Sequence, residues 1–332
     1  MSDVSPDLFI DLVFAYQKTA AISAAVALDL FSAIGEGADS VEALASRISA
    51  ASRGVRILCD YLTVQGLLIK ENNRYRLTPS SAVFLDSRSP ACMTSVVDFL
   101  AAPEMIGIYL DDPVAYVRNG GSLGLANLAA DHPVWVKFAR AMVPFMAPTA
   151  QGIAAEVARW PAAPRNVLDI AAGHGVFGIA IARAVPGAQI VAIDWQPVLE
   201  VARENARREG VEERYSTLAG SAFEVEWGEG YDLILMPNFL HHFEREGCVT
   251  LLQRARRSLA PAGAVLIVEM SPNEDRVSPP FPAMFAFVML GSTPHGDAWT
   301  VRELQEMGRE AGFTDSSAQP LPPSPQTMIV LR

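Results

Sequence analysis

Cysteine is scarce in this chain of 332 residues. Cys59, Cys92 and Cys248 are scattered and form no Cys-x-x-Cys pair, which argues against a disulfide framework and a structural zinc site, so no metal is expected. Charge is also scarce, at 19% of residues, and positive charge scarcer still: 26 Lys and Arg against 37 Asp and Glu leave a net charge of −11. That balance argues against a general affinity for nucleic acid or an anionic membrane. A long apolar run is missing too, because the Ala-rich stretch 19–34 is interrupted by Asp29. The start, with Asp3, Asp7 and Asp11, lacks the basic opening of a signal peptide. Together these absences point to a reducing, cytoplasmic setting. What is abundant is apolar side chain: half of the residues are hydrophobic, enough for a large core and an oligomer interface. The length exceeds what one core usually organises, so more than one domain is expected.

The most informative stretch is 166–194. Val167, Leu168 and Ile170 make an apolar strand that stops at Gly173, Gly175 and Gly178, where missing Cβ atoms allow a tight turn and close approach of a ligand. A helical apolar pattern follows over 179–185, ended by Pro186-Gly187, and a second strand over 189–193 closes on Asp194. Gly-x-Gly-x-x-Gly with a carboxylate 21 residues beyond its first glycine satisfies the dinucleotide fingerprint. A nicotinamide cofactor, however, needs its pyrophosphate on the helix N-terminus, where Asp169 would repel it. A carboxylate there suits a cationic ligand carrying an amino group and a sulfonium, namely S-adenosylmethionine (SAM). Val-Leu-Asp-Ile-Ala-Ala-Gly-His-Gly resembles the first motif of class I SAM-dependent methyltransferases. The plainer alternative is a βαβ unit whose glycines only permit packing.

Ahead of this motif the chain reads as helical. Residues 8–31 carry apolar residues at three- and four-residue spacing, which predicts one helix with much of its surface covered. A capped short helix begins after Ser40, a second helix covers 52–65, and a hairpin over 67–77 turns at Asn72-Asn73. This is a winged-helix outline. Arg47, Arg53, Arg56, Arg74 and Arg76 could touch phosphates, but Glu42, Asp60 and Glu71 dilute the patch, so a structural or dimerising role is favoured over DNA binding. Residues 91–160 form a helical bridge rich in Met, Phe and Trp, with a loop at Gly120-Gly121-Ser122 and punctuation by Pro144, Pro148, Pro161 and Pro164. The expected division is a helical winged-helix dimerisation domain over 1–100, a bridge and substrate lid over 101–160, and a SAM-binding Rossmann-like domain over 161–332.

Beyond Asp194 strand and helix keep alternating, and a terminal antiparallel pair is expected over 313–318 and 326–331. The fold class is therefore α/β, a seven-stranded Rossmann-like sheet of the class I methyltransferase type. Ligands of such sheets bind at the carboxyl ends of the strands. The SAM candidates are accordingly Asp169, Gly173 and Gly175 after the first strand, Asp194 and Trp195 after the second, Ser221, Ala222 and Phe223 after the third, and Asn238 after the fourth. Phe223 either packs on the adenine or belongs to the core. Many class I enzymes have aspartate where Ser221 stands.

The stretch Asn238-Phe-Leu-His-His-Phe-Glu-Arg-Glu resembles the corresponding region of small-molecule O-methyltransferases with an N-terminal winged-helix dimerisation domain, and the resemblance covers nearly the whole chain. It implies that His241 is a general base. Histidine, with an ordinary pKa of ~6.5, can take the proton of a phenol of pKa ~10 as methyl transfer proceeds. His242 stands where the family often has aspartate. The family orients its base with two acidic residues: Glu269 matches the first, whereas the second position holds Ala298, so either Asp297 substitutes or Glu269 acts alone. The acceptor side is apolar, with Phe281, Met284, Phe285, Phe287, Val288, Met289 and Leu290 expected to face the helical bridge. Phe138, Met142, His242, Phe285 and Met289 are the acceptor-contact candidates. The implied activity is homodimeric, SAM-dependent O-methylation of a hydroxylated aromatic or polyketide-like small molecule. A non-methylating SAM-binding relative and a SAM-responsive DNA-binding regulator are the alternatives.

Overall fold

The computed structural model describes residues 4–129 and 131–332; Asp3, named above, lies outside them. The chain forms two compact units that part between Ile106 and Gly107. Helices α1 (Asp7–Val13), α2 (Ala15–Ala27), α3 (Leu30–Gly35), α4 (Val41–Arg47) and α5 (Ser52–Val64) precede a hairpin of β1 (Leu68–Glu71) and β2 (Arg74–Leu77). Then follow α6 (Pro79–Phe84), α7 (Ser95–Leu100), α8 (Pro103–Leu110), α9 (Pro113–Asn119), α10 (Pro133–Ala141) and α11 (Val143–Val157).

Local chemistry explains most of the first unit. Ser40 caps α4 by accepting from the Ala43 N–H. Asn72 and Asn73 both take positive φ, at 49° and 59°, as a two-residue hairpin turn requires. The single covered helix expected over 8–31 is instead three pieces. It breaks at Phe14 and again at Asp29, whose left-handed φ of 52° redirects the chain so that Leu30 and Phe31 enter the core. Nor is its surface covered: α1 buries no residue, and Leu8, Phe9, Leu12, Val13 and Tyr16 are exposed. The arginines considered for DNA are largely spent within the unit, with Arg47 on Glu36, Arg56 on Asp60, Arg74 on Asp39 and Arg76 on Glu71. Among the described residues no single helix is long and apolar enough to cross a membrane; the pair α1 and α2, bent by 48°, passes by length and composition together.

In the second unit β3 (Asn166–Ile170), α12 (Val176–Ala184), β4 (Gln189–Asp194), α13 (Gln196–Arg208), β5 (Tyr215–Ala219), β6 (Tyr231–Pro237), α14 (Arg245–Ser258), β7 (Leu259–Glu269), α15 (Pro280–Ser292), α16 (Val301–Glu310), β8 (Ser316–Pro320) and β9 (Thr327–Leu331) follow in order. One seven-stranded sheet runs β5-β4-β3-β6-β7-β9-β8, parallel through β7, with β9 antiparallel to both of its neighbours. Leu168, Ile193, Ile234, Val265, Ile267 and Ile329 are fully buried along it, each worth about 1.5–3 kcal/mol relative to exposure. The expected boundary near 160 does not appear, because residues 107–160 group with the sheet. Nor does Pro148 break the chain: it lies within α11, which forgoes one intrahelical bond there and continues. The order of strands reverses beside β3, where β4 lies on one side and β6 on the other. The loops after β3, β4, β5, β6 and β7 therefore gather at one edge.

Candidate active site

The turn after β3 is built from left-handed residues: Ala171 at φ 51°, Gly173 at 58° and Gly175 at 76°. Gly178 serves packing, since a Cβ there would lie 2.8 Å from Asp169 Oδ2 and 2.9 Å from Ile190. Two carboxylates hold the turn. Asp194 Oδ2 accepts from the Gly173 N–H at 2.8 Å, and its Oδ1 from the Trp195 N–H at 2.7 Å. Asp169 Oδ2 accepts from the Gly178 N–H at 3.0 Å, while its buried Oδ1 has no protein partner. Burial pushes the Asp194 carboxyl up to about 6, against the lowering effect of its two backbone donors. Burial drives Asp169 well above the carboxylate range as well, and Asp194 adds to it. His174 is held neutral, pushed down to about 4 by burial, with Nδ1 accepting from the Val176 N–H at 3.3 Å.

These groups fit SAM. The buried Asp169 Oδ1 has no protein partner, the Asp194 oxygens have lone pairs beyond their two backbone bonds, and a Cβ at Gly173 would meet only the Ala171 carbonyl oxygen at 3.9 Å and the Phe138 ring at 4.0 Å. The third-strand loop joins them, because the Gly220 N–H donates to the Asp194 carbonyl at 2.9 Å. Ser221 Oγ is used locally, accepting from the Phe223 N–H at 3.2 Å, and the Ala222 carbonyl accepts from the Trp227 indole at 3.0 Å. Phe223 is half-exposed and edge-on to Phe243 at 5.0 Å. Trp195 packs toward Ala139 and Val198. Asn238, after β6, takes a left-handed φ of 53°. Its amide nitrogen donates to Met146 Sδ at 3.7 Å and its amide oxygen accepts from Gln326.

After β6 a short 3₁₀ turn, Leu240–His242, carries the two histidines. Glu269, the last residue of β7, accepts from the backbone N–H groups of Phe239 at 3.1 Å and His241 at 3.3 Å through Oε1. Its Oε2 lies 2.6 Å from His241 Nδ1. An ionised carboxylate is acceptor-only, so the tautomer that this contact suits carries its proton on Nδ1. Both residues are buried, and the Phe285 ring meets His241 edge-on at 4.9 Å. His242, with its ring 4.3 Å from that of His241, is driven well below the ordinary histidine range by burial and then by the neighbouring imidazole. Asp297, the candidate for the second acidic role, pairs with Arg276 at 3.2 Å and accepts from the Ala298 N–H at 2.8 Å, and Ala298 itself is buried. Met142 and Met289 are buried, whereas Phe281, Met284, Phe287 and Val288 are exposed, Phe287 still meeting Tyr116 of α9 edge-on at 5.7 Å.

Residues 129–314 match the O-methyltransferase domain family, and residues 10–87 match the O-methyltransferase dimerisation domain. The chain belongs to the O-methyltransferase family. This methyltransferase is 26% identical to the 3-hydroxy-5-methyl-1-naphthoate 3-O-methyltransferase of Streptomyces sahachiroi, covering 93% of this chain and 90% of that one. To mouse acetylserotonin O-methyltransferase it is 24% identical, over 92% and 82% of the two chains. It superposes with a TM-score of 0.94 on a Nostoc punctiforme protein assigned to the O-methyltransferases, 47% identical over 99% of both chains. The human N-acetylserotonin methyltransferase in complex with SAM shares the fold, with a TM-score of 0.85 at 21% identity over 100% of this chain and 99% of that one. The methyltransferase is thus SAM-dependent by family. Its sequence gave no signal for three supporting groups: Asn205, which donates to the His174 carbonyl at 2.9 Å, buried Tyr215 beneath Gly175, and Gln326, which fixes Asn238.

Proposed function

We propose that the methyltransferase transfers a methyl group to a hydroxyl of an aromatic, natural-product-like small molecule, with His241 as general base. The observation that carries this reading is the 2.6 Å contact of His241 Nδ1 with a Glu269 carboxylate already tied to the backbone of the same turn. Glu269 fixes the tautomer and stabilises the imidazolium that forms when Nε2 takes the acceptor's hydroxyl proton. SAM, when bound, supplies a methyl group on a sulfonium. Asp169 would hold its amino group, Asp194 its ribose hydroxyls, and the turn from Ala171 to Gly175 would approach it without side-chain obstruction. Phe285, Met142 and Met289 exclude water and offer flat, polarisable contacts to a ring. The likeness to a naphthoate O-methyltransferase and to the tetracenomycin 8-O-methyl transferase of Streptomyces glaucescens supports a fused-ring hydroxyl as acceptor.

The test is His241→Ala. Turnover of a hydroxynaphthoate with SAM should fall by roughly 10²–10⁴-fold while the calorimetric affinity for SAM stays nearly intact, because the residue acts on the acceptor's proton alone. Undiminished turnover would remove His241 from the base role.

A further inference from the structure

The turn that follows α15 lies against the base. Thr293, buried, donates through Oγ1 to the Met289 carbonyl at 2.7 Å and accepts from the Gly296 N–H at 2.8 Å. A Cβ on Gly296 would stand 2.2 Å from the His241 carbonyl oxygen, 2.6 Å from Thr293 Oγ1 and 3.1 Å from the His242 carbonyl carbon. The φ of Gly296 lies outside the left-handed region; space rather than conformation demands a glycine. On its other side the turn is clasped by the loop after α9. The Ser122 N–H donates to the Thr293 carbonyl at 2.8 Å, a Cβ on Gly121 would fall 2.0 Å from the Pro294 carbonyl oxygen, and one on Gly124 would fall 2.7 Å from that of Ser292.

Three backbones are therefore stacked without intervening side chains: the glycine strap 121–124, the turn 293–296 and the base turn 240–242. The base turn is a single 3₁₀ turn with no helix of its own to stiffen it. Among the described residues the His241 ring has one carboxylate partner, Glu269, and packs against the rings of Phe285 and His242. The turn's backbone is held by Glu269 Oε1 at the N–H groups of Phe239 and His241, by the Trp299 indole and Cys248 Sγ at the Leu240 carbonyl, and by the close approach of Gly296 to the His241 carbonyl.

We propose that the 293–296 turn is the seat that positions the His241 imidazole for proton transfer, with Thr293 and Gly296 as positioning residues. This rests on His241 being the base. A side chain at 296 pushes the His241 carbonyl away and rotates the ring off the acceptor; loss of the Thr293 hydroxyl frees the Gly296 N–H and lets the seat drift. Proton transfer is sensitive to displacements of this size, about 1 Å being worth ~10²-fold.

The experiment compares Thr293→Val, Thr293→Ser, Gly296→Ala and His241→Ala in the full chain. Three quantities are read: the proton NMR signal of the His241 Nδ1–H bonded to Glu269, the affinity for SAM by calorimetry, and kcat with a hydroxynaphthoate. Thr293→Val and Gly296→Ala should move or broaden the Nδ1–H signal and lower kcat by about 10²-fold, with SAM affinity unchanged. Thr293→Ser, which restores the hydroxyl, should restore both signal and kcat. The seat is overturned if Thr293→Val leaves signal and kcat as in the wild type, if serine rescues neither, or if SAM affinity falls together with kcat. His241→Ala separates the two ideas: full activity in that variant removes the base itself, whereas an inactive His241→Ala beside a normal Thr293→Val removes only the seat.

Discussion

At the scale of single residues, the carboxyl of Asp194 links cofactor binding to pH. Burial pushes its pKa up to about 6 in the free protein, whereas hydroxyl donors from a ribose favour the ionised form. SAM should therefore bind with release of a proton below about pH 6, and its affinity should fall as pH drops through that value. Calorimetry in buffers of different ionisation enthalpy reads the proton directly; identical heats across buffers at pH 5.5 would contradict it. For stability of the free fold the sign is reversed, because a raised carboxyl contributes stability when protonated and loses it as pH rises from the ordinary value of ~3.9 toward about 6. Asp194→Ala should abolish most SAM binding, since each charge-assisted hydrogen bond to the ribose is worth roughly 1.5–3 kcal/mol. Asp169 and Asp194 stand out in the sequence because they flank the glycine turn at strand ends, where local pattern marks position, whereas His241 and Glu269 stand out through the resemblance to the O-methyltransferase family. Gln326 and Asn205 do not: they act across 88 and 31 residues of chain, and nothing in their surroundings announces a distant partner.

Elements were legible where local chemistry decides them. The hairpin at Asn72-Asn73, the Ser40 cap and the succession of seven strands along the chain follow from turn residues and periodicity. The break at Asp29 was not, because a left-handed aspartate is uncommon and here the burial of Leu30 and Phe31 offsets its strain. The exposed outer face of α15 was hidden for a related reason: an all-apolar helix gives no periodicity from which to choose a face. The start of α16 offers a clean test at this scale. Thr300 accepts from the Glu303 N–H at 3.2 Å, and the Glu303 carboxylate returns to the Thr300 N–H at 2.9 Å. Glu303 also binds Arg276 at 2.6 Å, which in turn holds Asp297. Thr300→Ala should cost about 1 kcal/mol of stability, measurable as a lower urea midpoint with an unchanged slope. No loss of stability would mean that the Arg276 network, rather than the cap, holds this helix end.

At the scale of the whole molecule, α1 cannot be explained by the chain alone. A seven-residue helix is marginal in water without packing, yet none of its residues is buried, and Leu8, Phe9 and Leu12 are 72%, 67% and 66% exposed. Contiguous apolar surface of this kind marks an interface, and the match to the dimerisation domain begins at residue 10, inside this helix. We expect α1 and the start of α2 to pair with a second copy about a two-fold axis, in an interface burying well above ~2,000 Å² in total. Light scattering at micromolar concentration should then report twice the chain mass. Phe9→Asp combined with Leu12→Asp places two charges in the centre of that surface and should shift the mass to that of one chain. The isolated chain should stay folded, because the first unit's core of Leu30, Phe31, Leu44, Leu62 and Tyr75 is untouched. A wild type that scatters as a monomer, or a double variant that remains dimeric, would send the search for the interface to a surface other than α1.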